Sequence, residues 1–97
     1  PALFPCPIKL ENRHRSTGAS ARFDPRTRIG YISFGPTAKR WVILHELAHI
    51  LSDARGDVPG HGLGWMKAYL EIVLAVFGQA DHDTLEQFAI IAGYDLL

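Results

Sequence analysis

Cysteine is nearly absent from this sequence, in which Cys6 is the only one. One thiol cannot form an internal disulfide, and it cannot supply the several thiolates of a cysteine-rich metal site. Long apolar runs are also lacking, because none reaches the roughly 18 residues that a membrane-spanning helix needs. The sequence does not begin with a charged segment followed by an apolar one, which is the pattern of a signal peptide. These absences predict a cytoplasmic protein that has no membrane partner.

The chain also lacks a net charge, but its basic and acidic residues are concentrated in different halves. Residues 1–40 contain eight basic and two acidic residues, a net charge of +6, and residues 41–97 contain two basic and eight acidic ones, a net charge of −6. We expect the two oppositely charged halves to attract each other across solvated faces. A nucleic acid bound to the basic half is therefore the less favoured partner. The length of 97 residues predicts a single domain over 1–97, expected to be a monomer.

Short β-strands are expected in the first third of the chain. They cover residues 8–10, 21–23 and 28–34. The last two flank Asp24-Pro25, a pair that favours a turn, so they are predicted to form a hairpin. The polar residues between the first two strands, including His14, are predicted to form a loop.

Three helices are expected in the rest of the chain. They cover residues 38–54, 61–77 and 84–93. Thr37 is a candidate N-cap, Gly56 and Gly78 are candidate stops, and Asp83 with Glu86 has the spacing of a capping box. The first helix is apolar on most sides and is predicted to be buried. The fold class is therefore α+β: a small antiparallel or mixed sheet from the N-terminal half, packed on a buried helix with two further helices.

The longest apolar run, residues 41–51, contains the pattern H-E-x-x-H. His45 and His49 are four residues apart, so on a helix they lie on one face and can bind one metal ion. Glu46 follows the first histidine and can reach a water on that metal, which makes it a candidate general base. The pattern predicts a metal site with hydrolytic chemistry.

Catalytic zinc sites usually have three protein ligands, so a third ligand is needed. A metzincin would have a third histidine where this chain has Arg55, and a glycine where it has Ser52. A thermolysin-like site would use a glutamate from the next helix, and Glu71 is the candidate. Glu71 shares a narrow polar face with Lys67, which points it toward solvent.

His61 is the favoured third ligand. It precedes the second helix, and the short turn at residues 57–60 returns the chain toward the first helix. Gly62 has no Cβ and is expected to permit a close approach there.

Other polar residues have less specific positions. Asp53 follows His49 by one helical turn and could accept the free ring N–H of a ligand. Tyr69 or Tyr31 could donate a hydrogen bond to an oxyanion, and the sequence does not decide between them. His14 and His82 lie in polar stretches and are expected to be surface histidines.

The sequence His-Glu-Leu-Ala-His, preceded by a strand and followed by His-Gly-x-x-Trp, resembles the SprT-like and WLM group of minimal zinc metallopeptidases. The likeness covers about residues 22–76 and is greatest to small stand-alone metallohydrolases of bacteria and their phages. It implies zinc, with His45, His49 and His61 as ligands and Glu46 as the catalytic acid and base. It also implies a small mixed sheet whose Tyr31–Phe34 strand lines the cleft, which makes Tyr31 and Ser33 candidate substrate-binding residues.

The favoured functional hypothesis is a zinc-dependent metallohydrolase, most specifically a metallopeptidase that acts on a peptide or protein. An extended substrate is expected to pair with the strand around residues 31–34. The alternative is a non-catalytic module in which zinc holds two helices together and the chain binds a protein or nucleic acid.

Overall fold

The computed structural model describes residues 3–11 and 18–96. His14 and most of the predicted polar loop lie outside these residues. The described elements are β1 (Ile8–Leu10), β2 (Ala19–Asp24), β3 (Ile29–Phe34), α1 (Arg40–Ala54), α2 (Leu63–Phe77) and α3 (Gln79–Ile91). The predicted α+β class is confirmed.

The three strands form a mixed sheet in the order β1-β3-β2. β2 and β3 are antiparallel, so the predicted hairpin is confirmed, while β1 is parallel to β3. At the hairpin turn, the Asp24 carboxylate accepts the backbone N–H of Arg26 at 2.9 Å. Arg28 then adopts a φ of +58° and returns the chain into β3.

β3 is the central strand, and this corrects one expectation. Its residues from Ile29 to Phe34 pair with β2 on one edge, and Gly30 to Ile32 pair with β1 on the other. The backbone of β3 up to Ile32 is therefore paired on both edges, and an extended substrate cannot add to that part of the strand. β1 and β2 are the outer strands of the described sheet.

α1 lies between the sheet and α2. A Cβ at Gly30 would be 2.5 Å from Cγ2 of Ile50, so glycine at this position lets the helix approach the sheet closely. Leu44, Ala48 and Leu51 belong instead to the core cluster shared with α2. The largest fully buried side chains of the described residues come from α1 and α2. They are Ile50, Leu51, Ile72 and Val73.

The prediction that α1 is buried holds for its second half and is wrong for its first turn. Trp41 is 44% exposed and Val42 is 39% exposed. The sheet and α2 cover two sides of the helix and leave a third side open. The exposed Trp41 and Val42 adjoin His45 and Glu46 of the H-E-x-x-H pattern, with which they line one pocket.

The helix ends agree only in part with the predicted caps. Gly56 has a φ of +78° and its N–H donates to the Asp53 carbonyl, so the predicted stop is confirmed. At the other end, α1 begins at Arg40 after Lys39, without a side-chain cap, so the Thr37 N-cap is wrong.

α3 begins five residues earlier than predicted. Gly78, with a φ of +97°, ends α2 and directly precedes Gln79, the first residue of α3. Asp83 therefore lies inside the helix, where its carboxylate accepts a hydrogen bond from Gln79 Nε2 at 2.7 Å. The predicted Asp83–Glu86 capping box is wrong, because one glycine with a positive φ replaces the expected linker.

Two ion pairs of the described residues each lie within one half of the chain: Arg22 binds Glu11 in the first half, and Arg55 binds Glu71 in the second. A side-chain hydrogen bond joins the two halves, because the Arg28 guanidinium donates to the Ala54 carbonyl at 3.1 Å. None of the helices described here has the length and apolar character needed to cross a membrane.

Candidate metal centre

The structure brings His45, His49 and His61 together. The first two project from successive turns of α1, and His61 comes from the loop before α2. Nε2 of His61 is 3.0 Å from Nε2 of His49 and 3.0 Å from Nε2 of His45. The ligand atoms of all three residues lie within 4.8 Å of one another. Three imidazole nitrogens therefore point at one small volume.

Hydrogen bonding alone does not explain this convergence. A neutral imidazole Nε2 either donates one proton or accepts with one lone pair, and it cannot do both. Nε2 of His61 faces two such nitrogens, so one of the two contacts cannot be an ordinary hydrogen bond. A metal cation satisfies all three lone pairs together. In tetrahedral zinc sites, with Zn–N of about 2.0–2.1 Å, neighbouring ligand nitrogens are about 3.3 Å apart, close to the observed spacing.

The surroundings favour neutral imidazoles, the form that binds a metal. Burial is the main cause that lowers the pKa of His45, and the nearby His61 lowers it further. Burial also lowers the pKa of His49, with smaller contributions from His45 and His61. Both α1 histidines therefore keep a lone pair available near neutral pH.

Trp65 forms the wall behind the three histidines. Its ring centroid is 4.9 Å from that of His45, 5.7 Å from that of His49 and 4.6 Å from that of His61. The indole N–H donates to the His45 carbonyl at 3.3 Å, and the residue is only 6% exposed. The pattern His-Gly-x-x-Trp includes Trp65 but does not predict its contact with all three histidines.

The loop that carries His61 is fixed through Asp57, and this corrects the role given to Gly62. The Ser52 hydroxyl donates to Oδ2 of Asp57 at 3.2 Å. A Cβ at Gly64 would be 2.5 Å from Cγ of Asp57, whereas a Cβ at Gly62 would meet no atom of the described residues within 4 Å. Gly64, the first-turn glycine of α2, is therefore the residue that permits the close approach.

We expect Gly64→Ala to destabilise the chain by about 1–2 kcal/mol, because overpacking against Asp57 outweighs the higher helix propensity of alanine. The same displacement should weaken metal binding through the His61 loop. Gly62→Ala is the matched control and should melt and bind zinc like the wild type. Thermal melting and zinc titration measure both effects, and equal behaviour of the two variants would contradict this role of Gly64.

Tyr94 holds the His61 loop from the other side. Its hydroxyl donates to the backbone carbonyl of His61 at 2.6 Å. Gly93, with a φ of +103°, ends α3 and turns the chain so that Tyr94 N–H reaches the Ala89 carbonyl. Gly93 indicated the end of a helix, but nothing in the sequence indicated that Tyr94 would hydrogen-bond to His61.

Removing this hydrogen bond should loosen the third ligand. We expect Tyr94→Phe to reduce stability by about 1 kcal/mol, the usual net value of one hydrogen bond, and to weaken zinc binding up to about 10-fold. Tyr31→Phe loses the same hydroxyl on the sheet and is the control. If competition with a chromogenic chelator gives both variants the wild-type zinc affinity, Tyr94 does not position His61.

Glu46 lines a pocket beside the histidines. The half-buried glutamate shares this pocket of about 420 Å³ with His45, Trp41, Val42 and Tyr69. The Tyr69 ring centroid is 6.3 Å from that of His45, and its hydroxyl donates to the Trp41 carbonyl at 3.3 Å. Burial raises the pKa of Tyr69, so the phenol stays protonated and can donate. Of the two tyrosines considered as oxyanion donors, Tyr69 is the one beside the cluster.

Tyr31 and Ser33 are not brought to the histidines. Neighbouring Gly30 faces α1, and side chains alternate along a strand, so Tyr31 and Ser33 project from the opposite face of the sheet. There the Arg22 guanidinium lies 3.9 Å from the centroid of the Tyr31 ring. The Ser33 hydroxyl is 2.9 Å from that of Ser20. Their predicted part in substrate binding has no support in this geometry.

Three further predicted positions lie outside the cluster. In the part of the chain that is described, Asp53 makes no hydrogen bond to any of the three histidines, and burial together with Asp57 raises the pKa of its carboxyl. Glu71 accepts a hydrogen bond from Nη2 of Arg55 at 3.0 Å, so the thermolysin-like alternative has its glutamate in an ion pair. His82 was expected on the surface, yet its side chain is only 18% exposed.

No family model, curated protein or solved structure matches the chain. The likeness to SprT-like and WLM peptidases therefore stays a prediction.

Proposed function

We propose that this protein is a zinc-dependent metallohydrolase and, more specifically, a metallopeptidase of the SprT-like and WLM type. One observation carries the proposal: three imidazole nitrogens converge, with His61 Nε2 at 3.0 Å from each of the other two, beside a pocket that Glu46 lines. We further propose that it works in the cytoplasm, because its single cysteine gives it no disulfide framework to protect.

Zinc fits this set of side chains. Neutral imidazoles suit zinc, while magnesium and calcium prefer oxygen ligands. Among the described residues the cluster contains three ligand side chains. Three protein ligands are typical of catalytic zinc sites, whereas structural sites usually have four.

The side chains around the cluster have distinct proposed roles. Zinc held there would supply a Lewis acid and would lower the pKa of a coordinated water toward about 7. Glu46 takes a proton from the attacking water and returns it to the leaving amine. Tyr69 is the candidate donor to the substrate carbonyl oxygen, and to act there its single O–H would have to leave the Trp41 carbonyl to which it now donates. Trp65 keeps the three rings in place and excludes water from behind them.

The alternative, a non-catalytic zinc-stabilised module, is favoured by the position of the ligands. His45 and His49 belong to α1, and His61 immediately precedes α2, so a bound metal would cross-link two helices whatever its chemistry. Such a module could bind a protein or a nucleic acid. The two proposals differ in turnover and in the need for Glu46.

Zinc content and peptide cleavage test the proposal together. Protein purified without a chelator or a metal-affinity tag should contain about one zinc per chain, as a single three-histidine site requires. This protein should cleave members of a quenched-fluorescence peptide library, and the cleavage should stop with chelator and return with zinc. Full zinc content without any cleavage would favour the module, and failure to bind added zinc would refute both.

A further inference from the structure

The pocket beside Glu46 is largely apolar, and it adjoins the candidate metal centre directly. Trp41 and Val42, from the first turn of α1, form its apolar wall together with the ring of Tyr69 from α2. His45 and Glu46 complete the lining, so a group bound in the pocket lies next to a candidate metal ligand and the candidate base. Its exposed apolar surface is therefore continuous with the proposed reaction centre.

Aromatic contacts hold this wall in place. Trp41 stacks on Phe77 with a centroid distance of 4.7 Å and an interplanar angle of 28°. Tyr69 meets Trp41 edge-on at 6.4 Å and also packs on Trp65 at 5.2 Å. The hydrogen bond from the Tyr69 hydroxyl to the Trp41 carbonyl ties α2 to the first turn of α1. A pocket formed in advance loses little conformational freedom when it binds a ligand.

The size and chemistry of the pocket limit what it can bind. Its volume of about 420 Å³ lies within the roughly 300–1,000 Å³ that is usual for small-ligand sites and exceeds the need of a short side chain. Its walls offer an indole, an isopropyl group and a phenol ring. Among the described residues that line it, Glu46 is the acidic one, and the proposed reaction already uses its carboxylate.

We propose that this pocket binds a large apolar side chain of the substrate, such as phenylalanine or leucine, next to the scissile peptide bond. The inference rests on the proposed peptidase function and adds a substrate class to it. The pocket buries that side chain against Trp41 and Val42 and so brings the adjoining peptide bond to His45 and Glu46. Peptides with small residues at this position lose that apolar burial and bind more weakly.

A binding experiment tests the pocket without relying on turnover. The Glu46→Gln chain keeps the shape of the pocket and is titrated by calorimetry with four blocked tripeptides, acetyl-Ala-X-Ala-amide, where X is Phe, Leu, Ala or Arg. The Phe and Leu peptides should bind about 10-fold more tightly than the Ala peptide. Equal affinities for Phe and Ala, or tightest binding of the Arg peptide, would overturn the proposal.

Variants of the pocket residues, made in the same Glu46→Gln background, test whether the preference for large apolar side chains arises in this pocket. Trp41→Ala should bring the affinity for the Phe peptide down to that for the Ala peptide. Val42→Asp should do the same by placing a charge in the wall while leaving the stack of Trp41 on Phe77 intact. Phe88→Ala is the matched control, because Phe88 is 65% exposed on α3 and does not line the pocket. A preference for Phe that persists in both folded pocket variants would refute the assignment.

A cleavage experiment with the wild-type chain separates the two proposals. Cleaved bonds in a random peptide library should carry a large apolar residue at one fixed position beside the scissile bond. Cleavage without such a preference would overturn the pocket assignment and leave the peptidase proposal standing. If no peptide is cleaved, the peptidase proposal fails, and the binding affinities then decide the pocket assignment by themselves.

Discussion

Glu46→Gln should reduce peptide hydrolysis by about 10²–10⁴-fold, which is the usual contribution of a positioned general base. Glutamine has nearly the same size and keeps the hydrogen-bonding shape, but it cannot take a proton from water. Glu46 is not one of the three clustered ligands, so zinc content and melting temperature should stay close to the wild-type values. The measurement is kcat on a cleaved library peptide, with zinc determined on the same preparation.

Glu71→Gln provides a matched control for this loss. Glu71 pairs with Arg55 on an exposed surface, outside the pocket that Glu46 lines, so the same chemical change there should leave kcat within about twofold of the wild type. A Glu46→Gln variant that retains wild-type turnover would refute the catalytic role of Glu46. Loss of zinc in that variant would show that Glu46 supports the metal rather than the proton transfer.

His61→Ala should lose both zinc and activity. Only the two imidazoles on α1 then remain as ligands. Loss of a hydrogen bond that supports a ligand weakens zinc binding by roughly 10–100-fold, and loss of the ligand itself should weaken it more. Stability should fall as well, because zinc bound at 1,000 times its Kd stabilises a protein by about 4 kcal/mol. For a domain of this size, that corresponds to a decrease in Tm of roughly 15–30 °C in the presence of zinc.

His82→Ala is the control for this variant, because His82 is outside the three-histidine cluster. It should bind zinc like the wild type and show the same zinc-dependent rise in Tm. Wild-type zinc affinity in His61→Ala would exclude His61 as the third ligand. Equal melting of the wild type with and without zinc would show that the metal does not cross-link the helices.

The sequence was most informative where the relevant geometry is local. His45 and His49 lie on one face of a helix because of their spacing alone, so any α-helix at this position brings them together. The end of α1 at Gly56 is equally local, since a glycine after an apolar periodic run favours a positive φ. These features follow from helix geometry and need no knowledge of the rest of the fold.

The features missed from the sequence depend on contacts between distant parts of the chain. Trp65 has the pattern of a core residue, and only the crossing of α1 and α2 brings its ring to the three histidines. Tyr94 follows α3, and its hydrogen bond to His61 joins residues 33 positions apart. Gly62 and Gly64 are indistinguishable by type, and only the position of Asp57 shows which of them must lack a Cβ.

The order of the strands was also beyond the sequence. Side chains alternate along a strand, so Gly30 and Ile32 lie on one face of β3 and Tyr31 and Ser33 on the other, but this alternation does not show which face meets α1. The small Gly30 meets Ile50, so the helix lies on the face that offers the closest approach. β1 then pairs with Gly30 to Ile32 on the other edge of β3, which removes that part of the strand as a place for substrate.

Anomalous X-ray diffraction from a zinc-loaded crystal, measured on both sides of the zinc absorption edge, would locate the metal itself. We expect one zinc per chain, bound by Nε2 of His45, His49 and His61 at about 2.0–2.1 Å, with a fourth position open to water beside Glu46. Zinc at any other site, or a fourth protein ligand in place of the water, would contradict it.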